Sequence, residues 1–141
     1  MQPRRDVPAL SVHAACIDTA RMHAMTLLSD SLTLPCGATL PNRIAKAAMS
    51  EHLASSRQEP TRALNTLYER WAQGGTGLVI TGNVMVDAKH LEANTNVVIA
   101  GTPDLGRFSA WAQAGTQAGT ALFMQLNHPG RQTPRHVNPT P

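Results

Sequence analysis

Three short stretches carry side chains suited to holding a small polar molecule: Ala47-Ala48-Met49-Ser50, Thr81-Gly82-Asn83 and Gln125-Leu126-Asn127-His128. Each closes an apolar run that reads as a β-strand. In a parallel sheet the C-terminal strand ends face one mouth, where small residues let a ligand approach the backbone and hydroxyl or amide groups bond its edge. The chemistry on offer is recognition of a flat polar ligand. The alternative is that these are ordinary strand ends without a site.

Other constellations are weaker. Gly74-Gly75-Thr76-Gly77 follows a helical pattern and precedes a strand, the reverse of the strand-glycine-helix order of a dinucleotide loop. It reads as a helix C-cap and turn. The six histidines include no HExxH, and no CxxC accompanies them. His128 and His136 read as loop histidines, and no metal is expected. Without a Gly-x-Ser-x-Gly elbow there is no anchored nucleophilic serine, so no catalytic residue is assigned.

The elements that must position these stretches follow from periodicity. Leu32-Thr33-Leu34 and Ala38-Thr39-Leu40 flank Pro35-Cys36-Gly37 and predict a small hairpin. Arg43 to Met49 reads as a first, buried parallel strand. Leu64, Leu67, Tyr68, Trp71 and Ala72 fall at helical spacing after Pro60-Thr61, until Gly74-Gly75 stops them. Gly77 to Asn83 is a second strand, followed by a loop from Val84 to Gly101. Thr102-Pro103-Asp104 predicts an N-cap, a proline at the first helical position and an acidic first turn. Helix two then presents Leu105, Phe108, Ala112 and Gly115 on one face and closes at Gly119. Ala121 to Asn127 is the third strand. Repeated β-α units predict an α/β fold with a parallel sheet and right-handed crossovers. Part of an eightfold barrel and part of an open doubly wound sheet both fit.

Composition bounds the function. The 141 residues suit one domain, and 42% hydrophobic with 15% charged residues is a globular balance. Lys+Arg 12 against Asp+Glu 9 gives +3, but the basic residues are scattered and aromatics are only 4%, so no nucleic-acid partner is expected. Cys16 and Cys36 read as reduced thiols. No stretch approaches a membrane span and no signal peptide opens the chain, which predicts a cytoplasmic protein without a membrane partner. Residues 1 to 24 lack a clean period and read as an N-terminal extension or a mis-called start, with the domain over residues 25 to 141.

Three ordered segments carry a resemblance. They are Leu40-Pro41-Asn42-Arg43-Ile44-Ala45-Lys46-Ala47-Ala48-Met49, Gly74-Gly75-Thr76-Gly77-Leu78-Val79-Ile80-Thr81-Gly82-Asn83-Val84 and Gln125-Leu126-Asn127-His128-Pro129-Gly130-Arg131. From about Leu32 to Pro141 the chain resembles the N-terminal part of the Old Yellow Enzyme family, FMN-dependent NAD(P)H:flavin oxidoreductases and ene-reductases built on a TIM barrel. The resemblance implies that Ala48, Met49 and Ser50 lie against the flavin, with Ser50 where relatives carry a threonine or cysteine near the flavin carbonyl. It implies that Asn83 stands where relatives usually have a small residue beside the flavin. Gln125 matches the glutamine whose amide bonds the pyrimidine edge, a role needing donor and acceptor on one side chain. His128 and Arg131 belong to the motif without an assigned role.

The same resemblance implies FMN as cofactor, NADH or NADPH as reductant, and a small-molecule acceptor such as an electron-poor alkene. The family's phosphate site, substrate-activating donor pair and proton donor come from later segments. A (β/α)₈ barrel takes about 250 residues, so the expected fold is an incomplete one of three strands and two helices, preceded by the hairpin. Without those later segments the chain alone is expected to be inactive, and with open sheet edges it is expected to associate with itself. The alternatives are a non-enzymatic oligomerising β-α module and a small nucleotide-binding α/β domain.

Overall fold

The structure, a computed structural model, describes residues 26–138. The extension expected over residues 1 to 24 lies outside them. A two-stranded antiparallel hairpin, β1 (Leu32–Thr33) and β2 (Thr39–Leu40), comes first and bears out the predicted turn. The sheet that follows is parallel throughout: β3 (Ala45–Lys46), β4 (Leu78–Met85), β5 (Val97–Val98) and β6 (Ala121–Asn127). Leu78 pairs with both Ala45 and Ala121, and Val84 with both Val97 and Leu126. β6 therefore runs along one edge of β4, while β3 and β5 share the other.

Two helices cover one face. α1 (Arg62–Gln73) is capped by Thr61, whose hydroxyl accepts from the Leu64 amide at 3.2 Å and donates to the Leu53 carbonyl at 2.6 Å. It ends at Gly74, and Gly75 takes φ +84. Gly77 passes so close to Asn42 that an added Cβ would sit 2.5 Å from its Oδ1. The glycine cluster is thus a helix stop and a close crossing, as its order relative to the strand requires. α2 (Leu105–Gly115) packs beside α1 and over β6. Leu64, Tyr68, Val79, Val84, Val97, Phe108 and Trp111 form the core between helices and sheet. Tyr68 meets Trp71 and Trp111 edge-on at 5.0 and 5.1 Å between ring centroids.

Four expectations need correction. The first strand is two residues long and exposed, except for half-buried Lys46, because no described element lies beyond its free edge. The second helix is capped by Asp104, not Thr102: its carboxylate accepts from the Gly106 and Arg107 amides, which places Pro103 before the helix. Its buried side is Phe108, Trp111, Ala114 and Gly115, while Leu105 is 69% exposed and Ala112 is also exposed. Trp111 and Gly115 continue the i, i+3, i+7 row from Phe108, and Ala112 projects sideways from it. Finally, the stretch from Val84 to Gly101 contains β5. Its Val97-Val98 pair is too short to produce an alternating pattern but completes the ladder at the end of β4. No helix among the described residues is long and apolar enough to cross a membrane.

Candidate functional site at the strand ends

A β-bulge decides which way the central strand presents its last side chains. Ile80 pairs with Phe123, but the next pair is Asn83 with Gln125, so β4 holds one residue more than β6 over this step. Val79 faces the helical core, and simple alternation would aim Asn83 the same way. The extra residue reverses the parity. Val84 returns to the core, and Asn83 and Gln125 lie side by side on the face away from the helices. The Gln125 amide N–H that loses its ladder partner donates instead to the Thr81 hydroxyl at 2.9 Å. Thr81 in turn donates to the Gly82 carbonyl at 2.8 Å.

Gly82 is the pivot. An added Cβ there would overlap the Glu51 carboxylate and the Met49 carbonyl, so only glycine lets the loop after β3 settle on β4. That loop is bolted down by a network that the sequence reading did not single out. Gly82 N–H donates to Glu51 Oε1 at 3.0 Å and to the Tyr68 hydroxyl oxygen at 3.2 Å. The Tyr68 hydroxyl itself donates to Glu51 Oε1. Lys46 Nζ lies 3.4 Å from Glu51 Oε1, donates to the Ile80 carbonyl at 3.1 Å and rests over the Trp71 ring at 4.4 Å. The Lys46 and Glu51 side chains are only 14% and 8% exposed, so this pair is held between sheet and helix. Burial first, then the hydrogen bond to Glu51 and its charge, push the Tyr68 hydroxyl far above its ordinary pKa. It stays a donor at every working pH.

Two of the expected site residues meet through Glu92. The Ser50 hydroxyl donates to Glu92 Oε2 at 3.1 Å, and the Asn83 amide donates to the same oxygen. Gln125 stands in register beside Asn83, and its side-chain amide takes no partner among the described residues. Ala48 and Met49 are exposed on the loop that Glu51 anchors, Met49 by 58%. The geometry thus gathers Ser50, Asn83 and Gln125, with Ala48 and Met49 at the rim. An amide with free donor and acceptor on an open sheet face is equipped to bond one edge of a planar ligand. Glu51 carried no motif and Tyr68 read as a core residue. A polar residue inside an apolar helical row, together with a charge at a strand residue, was the available signal for both.

His128 follows β6 directly and lies near a further pair. His90 Nδ1 is 2.7 Å from Asp87 Oδ2, and the His90 and His128 rings stand 5.0 Å apart. Arg131 is exposed in the short helical turn Gly130–Gln132.

Comparison with known proteins gives this arrangement a family. No protein-family model matches the chain. Over 119 residues the chain is 45% identical to the NADH-dependent flavin oxidoreductase iliE of Hypocrea jecorina, covering 82% of this chain and 29% of that protein. It is 42% identical over 111 residues to the NADH-dependent flavin oxidoreductase iccE of Talaromyces variabilis, covering 76% and 27%. The solved structure of the old yellow enzyme homologue from Zymomonas mobilis superposes with TM-score 0.68 at 26% identity, over 76% of this chain and 29% of that one. That of the old yellow enzyme from Trypanosoma cruzi gives 0.64 at 27%, over 75% and 28%. The chain belongs to the Old Yellow Enzyme family. It spans less than a third of the length of these relatives.

Proposed function

We propose that the chain supplies the first three strands of a flavin-binding (β/α)₈ barrel in an FMN- and NAD(P)H-dependent oxidoreductase of ene-reductase type. The observation that carries this reading is the bulge-directed pairing of Asn83 with Gln125 on the open face, beside Ser50. Ala48, Met49, Ser50, Asn83 and Gln125 are the residues we assign to the flavin. The Gln125 amide, which has no partner among the described residues, fits the pyrimidine edge, which offers both a carbonyl and an N–H. Ser50 and Asn83 hold their groups toward Glu92, and each would reach the ring by sharing its hydrogen bond. When bound, FMN supplies hydride transfer between a nicotinamide and an electron-poor acceptor. This chain's own residues orient one edge of the ring and keep the loop in place through Glu51.

The phosphate site, acceptor site and proton donor are assigned to segments outside this chain, so the 141 residues alone should turn nothing over. Reading the coding frame past codon 141, with an intact mass of the native protein, tests the assignment to a larger enzyme. In that enzyme Gln125→Leu should lower bound FMN and NADH-driven alkene reduction together. Unchanged FMN content in that variant would remove Gln125 from the site. A non-enzymatic module assembling through its sheet is the second reading, favoured by the 49% and 61% exposure of Phe123 and Leu126. Concentration-dependent folding in a native protein that contains no flavin would select it.

A further inference from the structure

We infer that Asp87, His90 and His128 form a site for a first-row divalent cation of the zinc type, clasping the exits of β4 and β6. The three residues each offer a ligand atom, and these atoms all lie within 4.8 Å of one another. Two imidazoles and one carboxylate are borderline ligands that suit Zn²⁺, Co²⁺ or Ni²⁺ and discriminate against Mg²⁺ and Ca²⁺, which prefer all-oxygen shells. Three protein ligands leave a fourth position for water, the arrangement of an open rather than a closed zinc site.

The fold, rather than side-chain flexibility, brings the three together. Met85 and Asn127 are in register at the ends of adjacent parallel strands, and the Val86 amide extends the ladder to the Asn127 carbonyl at 3.1 Å. Asp87 and His128 therefore leave the sheet at the same level. Asp87 is fixed by the turn it starts: its Oδ1 accepts the Lys89 amide at 2.8 Å and its carbonyl the His90 amide at 3.3 Å. Beyond His90, buried Leu91 is gripped on both backbone groups by Asn138, whose Oδ1 accepts the Leu91 amide at 2.6 Å and whose Nδ2 donates to the Leu91 carbonyl at 3.0 Å. His90 is thus held between two anchored neighbours.

The Lys89 amide bonds Asp87 Oδ1 at 2.8 Å and leaves Oδ2 facing His90. A cation between His90 Nδ1 and Asp87 Oδ2 takes the place of their direct 2.7 Å contact. A second contact is given up at His128, whose Nδ1 accepts the Gly130 amide at 3.0 Å. Coordination through Nδ1 displaces that N–H, and coordination through Nε2 puts a proton on Nδ1, so either mode frees the Gly130 amide.

The test uses the chain without a polyhistidine tag, stripped with a chelator, in a Cys16→Ser, Cys36→Ser background to remove both thiols. Calorimetric titration with Zn²⁺ should show one equivalent bound with micromolar or tighter affinity, and Asp87→Asn, His90→Gln and His128→Gln should each weaken it by roughly tenfold or more. His52→Gln and His136→Gln, both exposed, should leave it unchanged. Histidine acylation read by mass spectrometry gives an answer that no variant's folding can disturb. Zn²⁺ should protect His90 and His128 and leave His52 and His136 reactive. Millimolar binding, or equal protection of all six histidines, would overturn the site and show adventitious surface binding only. None of these readouts depends on flavin or turnover, so the site and the enzymatic reading stand or fall separately.

Discussion

At the scale of single residues the strand-end site rests on Gly82 and the charges packed around it. Gly82→Ala must push a methyl group into Glu51 and Met49, and the Met49 carbonyl is backbone that cannot swing aside. Overpacking of that kind costs about 1–3 kcal/mol, and chemical denaturation of the variant should read a loss in that range. Glu51→Gln should cost about 3 kcal/mol, because it leaves the half-buried Lys46 ammonium without its counter-charge. Combining Glu51→Gln with Lys46→Met should recover most of that loss, and a double variant as unstable as the single one would show that the pair is not what matters. Tyr68 adds a pH dependence whose sign is fixed. Its pKa in the folded chain lies above the unfolded value of about 10, so the neutral hydroxyl is favoured by folding. Stability from this group is complete below about pH 10 and declines as pH rises beyond it, where the unfolded chain ionises first. A denaturation series across that range should fall more steeply for the native sequence than for Tyr68→Phe.

At the scale of elements, caps and glycines were readable from local chemistry, and pairing geometry was not. Thr61 starts α1 and Gly74-Gly75 end it, as the sequence order of cap, apolar row and glycines implies. Thr61 also ties α1 to the loop after β3, since its hydroxyl donates to the Leu53 carbonyl. Thr61→Ala therefore loses a cap and a tertiary bond, and a drop of about 1–2 kcal/mol in thermal unfolding is expected. Thr61→Ser, which keeps both bonds, should lose much less. The candidates Ser50, Asn83 and Gln125 were legible because strand ends can be located from apolar runs and the family motifs fall there. That Asn83 faces Gln125 was not, because one bulged residue inverts the parity and nothing in Ile80-Thr81-Gly82-Asn83 beyond the glycine announces it. β5 escaped notice for a related reason: two valines pair with β4 only once the preceding loop has folded back. Asp104 displaced Thr102 as the cap because its carboxylate reaches two amides of the first turn, whereas Pro103 separates Thr102 from the helix. Glu51, Tyr68 and Lys46 lie on three different elements, and only the assembled sheet shows that they share one oxygen.

At the scale of the whole molecule, one face of the sheet is finished and the other is not. α1 and α2 bury Val79, Val84 and Leu122, but Phe123 on the opposite face is 49% exposed, and Met124 and Leu126 along β6 are 38% and 61% exposed. Ile44 and Met49 add 49% and 58% at the other edge. Apolar side chains spread along an edge strand with free backbone donors and acceptors invite pairing with another chain. In a closed barrel the following strand would take up the free edge of β6. In the chain by itself the nearest available partner is a second copy. The 141 residues are therefore expected to sediment as a concentration-dependent oligomer, and to melt at a temperature that rises with protein concentration. Phe123→Lys with Leu126→Lys should shift the distribution toward monomer while leaving helical content unchanged, because neither residue belongs to the core under α1 and α2. A sharp monomeric boundary with cooperative melting in the unmodified chain would mean that the sheet is stable with its edge open. The self-association reading would then be wrong, and the exposed row along β6 would have to be accounted for by the stiffness of the β4 and β6 ladder alone.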